Sequence, residues 1–95
     1  MAILEYRAGS ATPVSIRPLQ ADGTPPDLVG TTMELRIPLA GACLPVPGVQ
    51  VEDRWDVDLS GMALPHRLLP CAIWVDWGGG WEYLTTIHLK ISGGC

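Results

Sequence analysis

The stretch WVDWGGGWEYLTTIHLKI, residues 74–91, carries three consecutive glycines between two runs rich in aromatic and β-branched side chains. Successive side chains of a β-strand point to opposite faces, so the positions of the apolar residues test whether the runs pair as a hairpin. A three-residue loop of Gly78, Gly79 and Gly80 places Trp77 opposite Trp81 and gives one apolar face. A two-residue loop reverses one strand and spoils this pattern. We therefore predict a hairpin closed by the three glycines.

The predicted hairpin has one face toward a core and one toward solvent. The inward pairs are Trp77 with Trp81, Val75 with Tyr83, Ile73 with Thr85, and Cys71 with Ile87. The outward face pairs Trp74 with Leu84 and carries Asp76, Glu82, His88 and Lys90. The glycines supply positive φ angles at the turn, and a phosphate cradle is not needed to explain them.

The rest of the chain favours an all-β fold, because apolar residues alternate and never recur at helical spacing over three turns. Short strands are predicted around residues 14–16, 33–37, 49–51 and 55–59. Asp22-Gly23 indicates a tight turn, placed at a hairpin or corner. The uncharged, proline-rich residues 38–48 read as an extended connection or edge segment, and residues 60–70 as a turn or one short helical turn.

Length and composition fit one domain that works in contact with other proteins. The chain has 95 residues, of which 47% are hydrophobic and 17% charged, against roughly 25% charged in typical soluble domains. Part of its surface must therefore be apolar, which an assembly tolerates better than a monomer does. We expect a single β-sandwich domain over residues 1–95, with residues 1–10 and 92–95 as tails that are flexible or order on assembly.

The charge pattern argues against nucleic acids and membranes as partners. The net charge is −4 and the six basic residues are scattered, so no positive stripe is predicted that would displace counterions from a phosphate backbone. The start, MAILEYRAGS, has no basic leader, and Glu5 interrupts its apolar run. Neither a secretory signal nor a membrane anchor is indicated, and synthesis in the cytoplasm is expected.

The cysteines indicate neither a zinc site nor a redox pair. Cys43, Cys71 and Cys95 are too far apart in sequence for either motif. Cys71 is expected to be a small core residue. Cys95 follows two glycines, and whether it forms an intermolecular disulfide is left open.

No motif for catalysis or for cofactor binding is present. The glycine run lacks the spacing, the Lys-Ser/Thr pair and the following helix of a phosphate loop. The acidic residues 52–58 lack the glycine turn and the distal glutamate of a calcium loop, which favours a solvated face. Neither His66 nor His88 has a cysteine or serine context that would make it an obvious general base. No serine lies in a Gly-x-Ser-x-Gly turn. We expect no enzyme activity, no catalytic residues, no metal and no cofactor.

The order of segments resembles the small immunoglobulin-like modules of tailed-phage virion proteins, such as the N-terminal domain of the siphophage baseplate upper protein. The resemblance spans about Thr12 to Ser92. It lies in the segments Ala21-Asp22-Gly23-Thr24, Pro26-Asp27-Leu28-Val29-Gly30-Thr31, Met33-Glu34-Leu35-Arg36-Ile37, Asp58-Leu59-Ser60, Leu69 to Trp77, Tyr83-Leu84-Thr85 and Leu89-Lys90-Ile91. Pro70-Cys71 departs from the family's usual Gly-x-Tyr, and we expect no fibre segment to follow. The resemblance implies an immunoglobulin-like antiparallel β-sandwich of about seven strands.

The resemblance further implies a virion structural protein that binds other virion proteins in several copies of a symmetric assembly. A tail-tip or baseplate adaptor is the first expectation, with a capsid decoration or head–tail joining protein as its nearest alternative. Two alternatives of other classes remain, a carbohydrate-binding module that uses Trp74 and a small acidic inhibitor of a host enzyme. The candidate interface residues are Leu39, Leu44, Val46, Trp74, Leu84 and His88.

Overall fold

The computed structural model describes residues 3–24 and 26–93, which form eight strands and no helix. The strands are β1 (Ile3–Arg7), β2 (Val14–Ile16), β3 (Thr32–Leu39), β4 (Ala42–Pro47), β5 (Val49–Val51), β6 (Arg54–Val57), β7 (Leu68–Asp76) and β8 (Trp81–Ser92). In the described part of the chain, no helix is long and apolar enough to span a bilayer.

The strands form two sheets. The larger sheet has the order β1-β8-β7-β3-β4, and the smaller has the order β2-β6-β5. Every pairing is antiparallel except that of β1 with β8, which is parallel. The expected all-β architecture with two sheets is confirmed.

An apolar core unites the inner faces of both sheets. Leu35 and Ile37 of β3, Val57 of β6, and Cys71 and Leu89 of the long hairpin are fully buried. No polar or charged side chain is buried among residues 3–24 and 26–93, so burial of apolar area stabilises this interior without a polar network. The predicted alternation in β3 and β7 is confirmed by these burial patterns.

The chain passes between the two sheets four times, after β1, β2, β4 and β6. After β2, the Asp22-Gly23 turn forms the predicted corner: Gly23 has a φ of 86°, and the Asp22 carboxylate accepts the backbone N–H of Thr24 at 3.0 Å. Between β4 and β5, Gly48 donates its N–H to the Met33 carbonyl at 2.9 Å. A Cβ at Gly48 would lie 2.6 Å from Met33 Sδ, so this crossing requires a glycine unless Met33 moves.

Three segments refine the sequence-based expectation. Part of the expected N-terminal tail is the strand Ile3–Arg7, and Ser92 belongs to β8; Met1, Ala2, Gly94 and Cys95 lie outside the described residues. Residues 38–48 do contain an edge strand, β4. Residues 60–67 form turns and irregular chain, and β7 begins at Leu68.

The hairpin exists, but its loop is longer than predicted. The last ladder pair joins Asp76 to Trp81, so Trp77 and the three glycines form a four-residue loop. A β-bulge then shifts the register between Ile73 and Trp74. These two one-residue shifts cancel, and the predicted pairs Ile73–Thr85 and Cys71–Ile87 are therefore confirmed.

Beyond the bulge, the predicted pairs are wrong. Trp74 lies opposite Tyr83, Val75 opposite Glu82, and Asp76 opposite Trp81. Residues directly opposite in a ladder share one face, so Trp81 and Tyr83 join Trp74 on the outer face. Leu84, which was expected on that face, is the extra residue of the bulge.

Candidate functional site

Four side chains form an aromatic face on the outside of the larger sheet: Arg36, Trp74, Trp81 and Tyr83. The Arg36 guanidinium carbon lies 4.3 Å from the centroid of the Trp74 ring and 5.8 Å from that of Trp81. Tyr83 packs edge-on against Trp74 with the ring centroids 5.9 Å apart. Trp81 and Tyr83 remain 42% and 54% exposed, so the face presents large rings to solvent.

The strand register explains why these residues meet. Glu34 of β3 pairs with Trp74 of β7, which pairs with Tyr83 of β8. Arg36 lies two residues along β3 on the same side, within reach of both tryptophans. The bulge at Leu84 gives Tyr83 and Trp81 the outward parity that a regular ladder would deny them.

An ion pair fixes the cation of the aromatic face. The Arg36 Nε atom donates to Glu34 Oε1 at 3.2 Å, and both side chains are partly shielded from solvent. A planar guanidinium held above an indole gains a cation–π attraction. The result is a preorganised surface in which one charged pair accompanies three aromatic rings.

The glycine loop borders the aromatic face and is held by Asp76. Its Oδ1 atom accepts the N–H groups of Gly78 at 2.8 Å and Gly80 at 3.2 Å. Both glycines have the predicted positive φ angles, 120° and 116°. Trp77 turns toward the buried Trp55, with 6.2 Å between the ring centroids. The loop is therefore pinned at both ends.

A groove, which we call the inter-sheet groove, lies on the inner side of β8, opposite the aromatic face. It has a volume of about 460 Å³ and opens between the edge of β2 and the inner face of the larger sheet. The lining residues are Leu4, Ser15, Ile16, Arg17, Pro18, Leu19, Ile73, Leu84, Thr85 and Ile87. The bulge aims Leu84 into this groove.

The predicted interface residues are not brought together. Val46 is only 4% exposed and belongs to the core, because alternation in β4 turns it inward. Its contact with a partner stays a prediction. Leu39 is half-buried and Leu44 is exposed at the edge of the larger sheet. Leu84 lines the groove, whereas Trp74 lies in the aromatic face.

His88 lies on the outer face of β8, where it pairs with Pro70 and Ile3. Its Nδ1 atom is buried and has no hydrogen-bond partner among the described residues. The half-buried His88 ring is not part of the aromatic face.

The titratable groups with shifted pKa values lie elsewhere. The pKa of Asp56 is lowered, first by the hydrogen bond from the Ser15 hydroxyl at 2.8 Å and then by that from Arg54 at 3.0 Å. Burial raises the pKa of the Cys71 thiol to about 11. Within residues 3–24 and 26–93, no group of three or more His, Cys, Asp or Glu side chains is placed to hold a metal ion.

Arg36 and the outward placement of Trp81 and Tyr83 were missed by the sequence analysis. Arg36 alternates with core residues of β3, which predicts only that it faces outward. Its neighbour across the sheet depends on the pairing of β3 with β7, and no local pattern specifies that register.

Comparison of the chain with protein-family models, with curated proteins and with solved structures found no match to any of them.

Proposed function

We propose that the chain is an immunoglobulin-like domain. The strand order supports this, since β3, β7 and β8 lie side by side as strands C, F and G do, and β4 adds to the C side. The order β2-β6-β5 likewise matches strands B, E and D. The disulfide that joins the sheets of antibody domains has no counterpart here, because Cys43 and Cys71 are free thiols.

We further propose that the domain is a non-enzymatic structural or adaptor subunit of a tailed-phage virion, at the tail tip or baseplate. It would act by packing against other virion proteins. The phage assignment rests on the sequence resemblance. The aromatic face carries the protein-binding part of the proposal.

Tryptophan, tyrosine and arginine are the residues that most often dominate binding energy at protein interfaces. The aromatic face combines all three on a sheet, where side chains lose little entropy on binding because packing already orders them. Glu34 holds Arg36 in place at 3.2 Å. A partner that covers this face would bury Trp81 and Tyr83, whose exposure the free domain tolerates at a cost.

Purified virions of a phage that encodes the chain provide the test. Quantitative mass spectrometry should find the chain in a fixed ratio to the major tail protein. Trp74→Ala, supplied from a plasmid to a phage lacking the gene, should reduce incorporation by tenfold or more, which corresponds to about 1.4 kcal/mol of binding energy.

Lys90→Ala is the matched control, because Lys90 is exposed on β8 but lies outside the aromatic face. This variant should be incorporated normally. Absence of the chain from virions would contradict the structural role and favour the inhibitor alternative. Labelling of virions with gold-tagged antibody separates a tail position from a capsid or head–tail position.

A carbohydrate-binding role is the second candidate, and the same face favours it. Exposed indole rings stack on the apolar faces of sugars, and the Arg36–Glu34 pair offers a donor and an acceptor beside them. A glycan array probed with the wild-type domain and with Trp74→Ala tests this role. Binding to a defined glycan that disappears in the variant would support the second candidate, and a blank array would reject it.

A further inference from the structure

The first half of β8 presents an unprotected sheet edge. Residues 81–87 pair with β7 on one side, and β1 joins the other side only from His88 onward. No described residue pairs with this edge along residues 81–87. The run contains no proline or glycine, and its only charged residue is Glu82. Such an edge is a ready template for another strand.

The other sheet edges are shorter, or carry proline or charge. β1, the outermost strand of the larger sheet, has five residues and carries Glu5 and Arg7. β4 carries Pro45 and Pro47, and a proline in an edge strand removes a donor from the side that faces solvent. β2 and β5 have three residues each, which is short for strand addition. Residues 81–87 therefore form the longest unpaired edge without proline among the described strands.

Two opposite charges flank this edge on its inner side. Glu82 lies opposite the core residue Val75 and so points to the inner side of the sheet. Arg17 lines the inter-sheet groove together with Thr85. Both side chains are exposed, and neither forms an ion pair within the described residues, although the charge of Arg17 makes a minor contribution to the lowered pKa of Asp56.

We propose that a second copy of this chain occupies the edge, and that two β8 strands pair antiparallel about a two-fold axis near Leu84. A register with Glu82 opposite Thr85 and Trp81 opposite Thr86 matches inner residues to inner and outer to outer in these pairs. The central pair, Tyr83 with Leu84, joins an outer to an inner residue and lies at the two bulges. The bulge permits this register. Its extra residue, Leu84, reverses the alternation of inner and outer side chains between residues 81–83 and residues 85–87.

Charge complementarity favours a second copy over an unrelated strand. In this register Glu82 of each copy lies beside Thr85 of the other, and Arg17 lines the same groove as Thr85. Two equivalent Arg17–Glu82 pairs therefore form across the axis, as a two-fold contact requires. Leu84 and Leu19, both exposed in the single chain, become covered at the same contact.

The inference deepens the proposed function by naming a contact between copies of a repeated subunit, and only its use in a virion rests on that proposal. Dimerisation depends on Arg17 and Glu82, whereas the docking of another protein depends on Trp74. Glu82→Arg therefore tests the dimer, and Trp74→Ala tests the aromatic face, without either result deciding the other.

Sedimentation velocity of the purified chain over about 5 to 500 μM, a range matched to weak dimers, tests the proposal. The wild type should show a concentration-dependent dimer. Glu82→Arg and Arg17→Glu should each weaken the dimer by tenfold or more, since each places like charges together. The double variant Arg17→Glu/Glu82→Arg exchanges the partners, and its dissociation constant should return to within threefold of the wild type.

Asp53→Arg and Arg67→Glu are matched controls, with equivalent charge changes at exposed sites away from the edge. They should dimerise as the wild type does. Far-UV circular dichroism and thermal unfolding verify that each variant folds. A wild type that stays monomeric at the highest concentration overturns the proposal and leaves the edge to an extended segment of another protein. Failure of the double variant to recover also overturns it.

Discussion

The β7–β8 hairpin has two halves, a base on one side of the bulge and a tip on the other, and they differ in register and burial. From Leu69 to Ile73 the ladder is regular, and its inner side chains are buried in an apolar core. Beyond the bulge, from Trp74 to the loop, the ladder is shifted and rings face solvent. The base is determined by burial, which tolerates no change of parity. At the tip Val75 of β7 is still buried, but the facing residues of β8 are exposed and free of that constraint, and it is there that the aromatic face forms.

Removing a buried side chain at the base should have the largest effect. Ile73→Ala truncates a residue that is 1% exposed, and the loss of transfer energy plus a cavity should lower the free energy of unfolding by about 3 kcal/mol. Urea denaturation measures this change. Leu84→Ala, one strand away and 40% exposed, is the control and should lower it by less than about 1 kcal/mol. Equal effects would erase the distinction between base and tip.

Alkaline pH should weaken the base through Cys71. Burial raises the pKa of this thiol from 9.0 to about 11, so above pH 9 the unfolded chain loses a proton that the folded chain retains. The free energy of unfolding should be unaffected below pH 9 and fall by up to about 3 kcal/mol as the pH rises to 11. Urea titrations of the wild type and Cys71→Ala at each pH isolate this contribution, because the variant lacks the titrating group. Parallel pH profiles would refute the assignment.

The loop at the tip should depend on Asp76. Asp76→Ala removes the acceptor of the Gly78 and Gly80 N–H groups, and the free energy of unfolding should fall by about 1 kcal/mol. Amide exchange at both glycines should become faster. Asp76→Asn keeps an oxygen acceptor and serves as the control, with exchange close to the wild type. Unchanged exchange in the alanine variant would show that the loop is held by other contacts.

Deleting Leu84 should have the smallest effect on stability. Without the extra residue, Tyr83–Trp74 and Thr85–Ile73 become consecutive pairs of one regular ladder. The fold should persist, with a change below about 1 kcal/mol, because the bulge residue makes no ladder pair. Cross-strand nuclear Overhauser effects between Trp74 and Tyr83 should remain. Loss of those signals would mean that the bulge itself sets the tip register.

The sequence predicted the parts of the fold in which burial selects one parity. Alternation identified Met33, Leu35 and Ile37 as core residues, and all three are buried. The pair Cys71–Ile87 was also correct. β1 was missed because its partner strand is more than eighty residues away in the chain, and five residues carry too short a pattern to reveal a parallel edge strand.

The candidate site was predicted only in part, for a related reason. Trp74 was expected to face outward, and it does so beneath Arg36. The longer loop and the bulge each shift the pairing of β7 with β8 by one residue, in opposite directions. The pairs at the base are therefore the same as those of a three-residue loop with no bulge. The shift changes the outcome beyond the bulge, where it places Trp81 and Tyr83 on the outer face. Alternation in the sequence identifies the face of a residue only where one face is buried, and these two residues are exposed.

Gly48 and the glycine loop differ in how well they accept a side chain. A side chain at Gly48 would press against Met33 and Trp55, so neither natural drift nor a laboratory library has much freedom at that junction. No atom lies within 4 Å of the Cβ position at Gly79. A peptide epitope inserted in the glycine loop would therefore extend into open space. A dye-labelled cysteine at the same place would turn the domain into a fluorescent reporter.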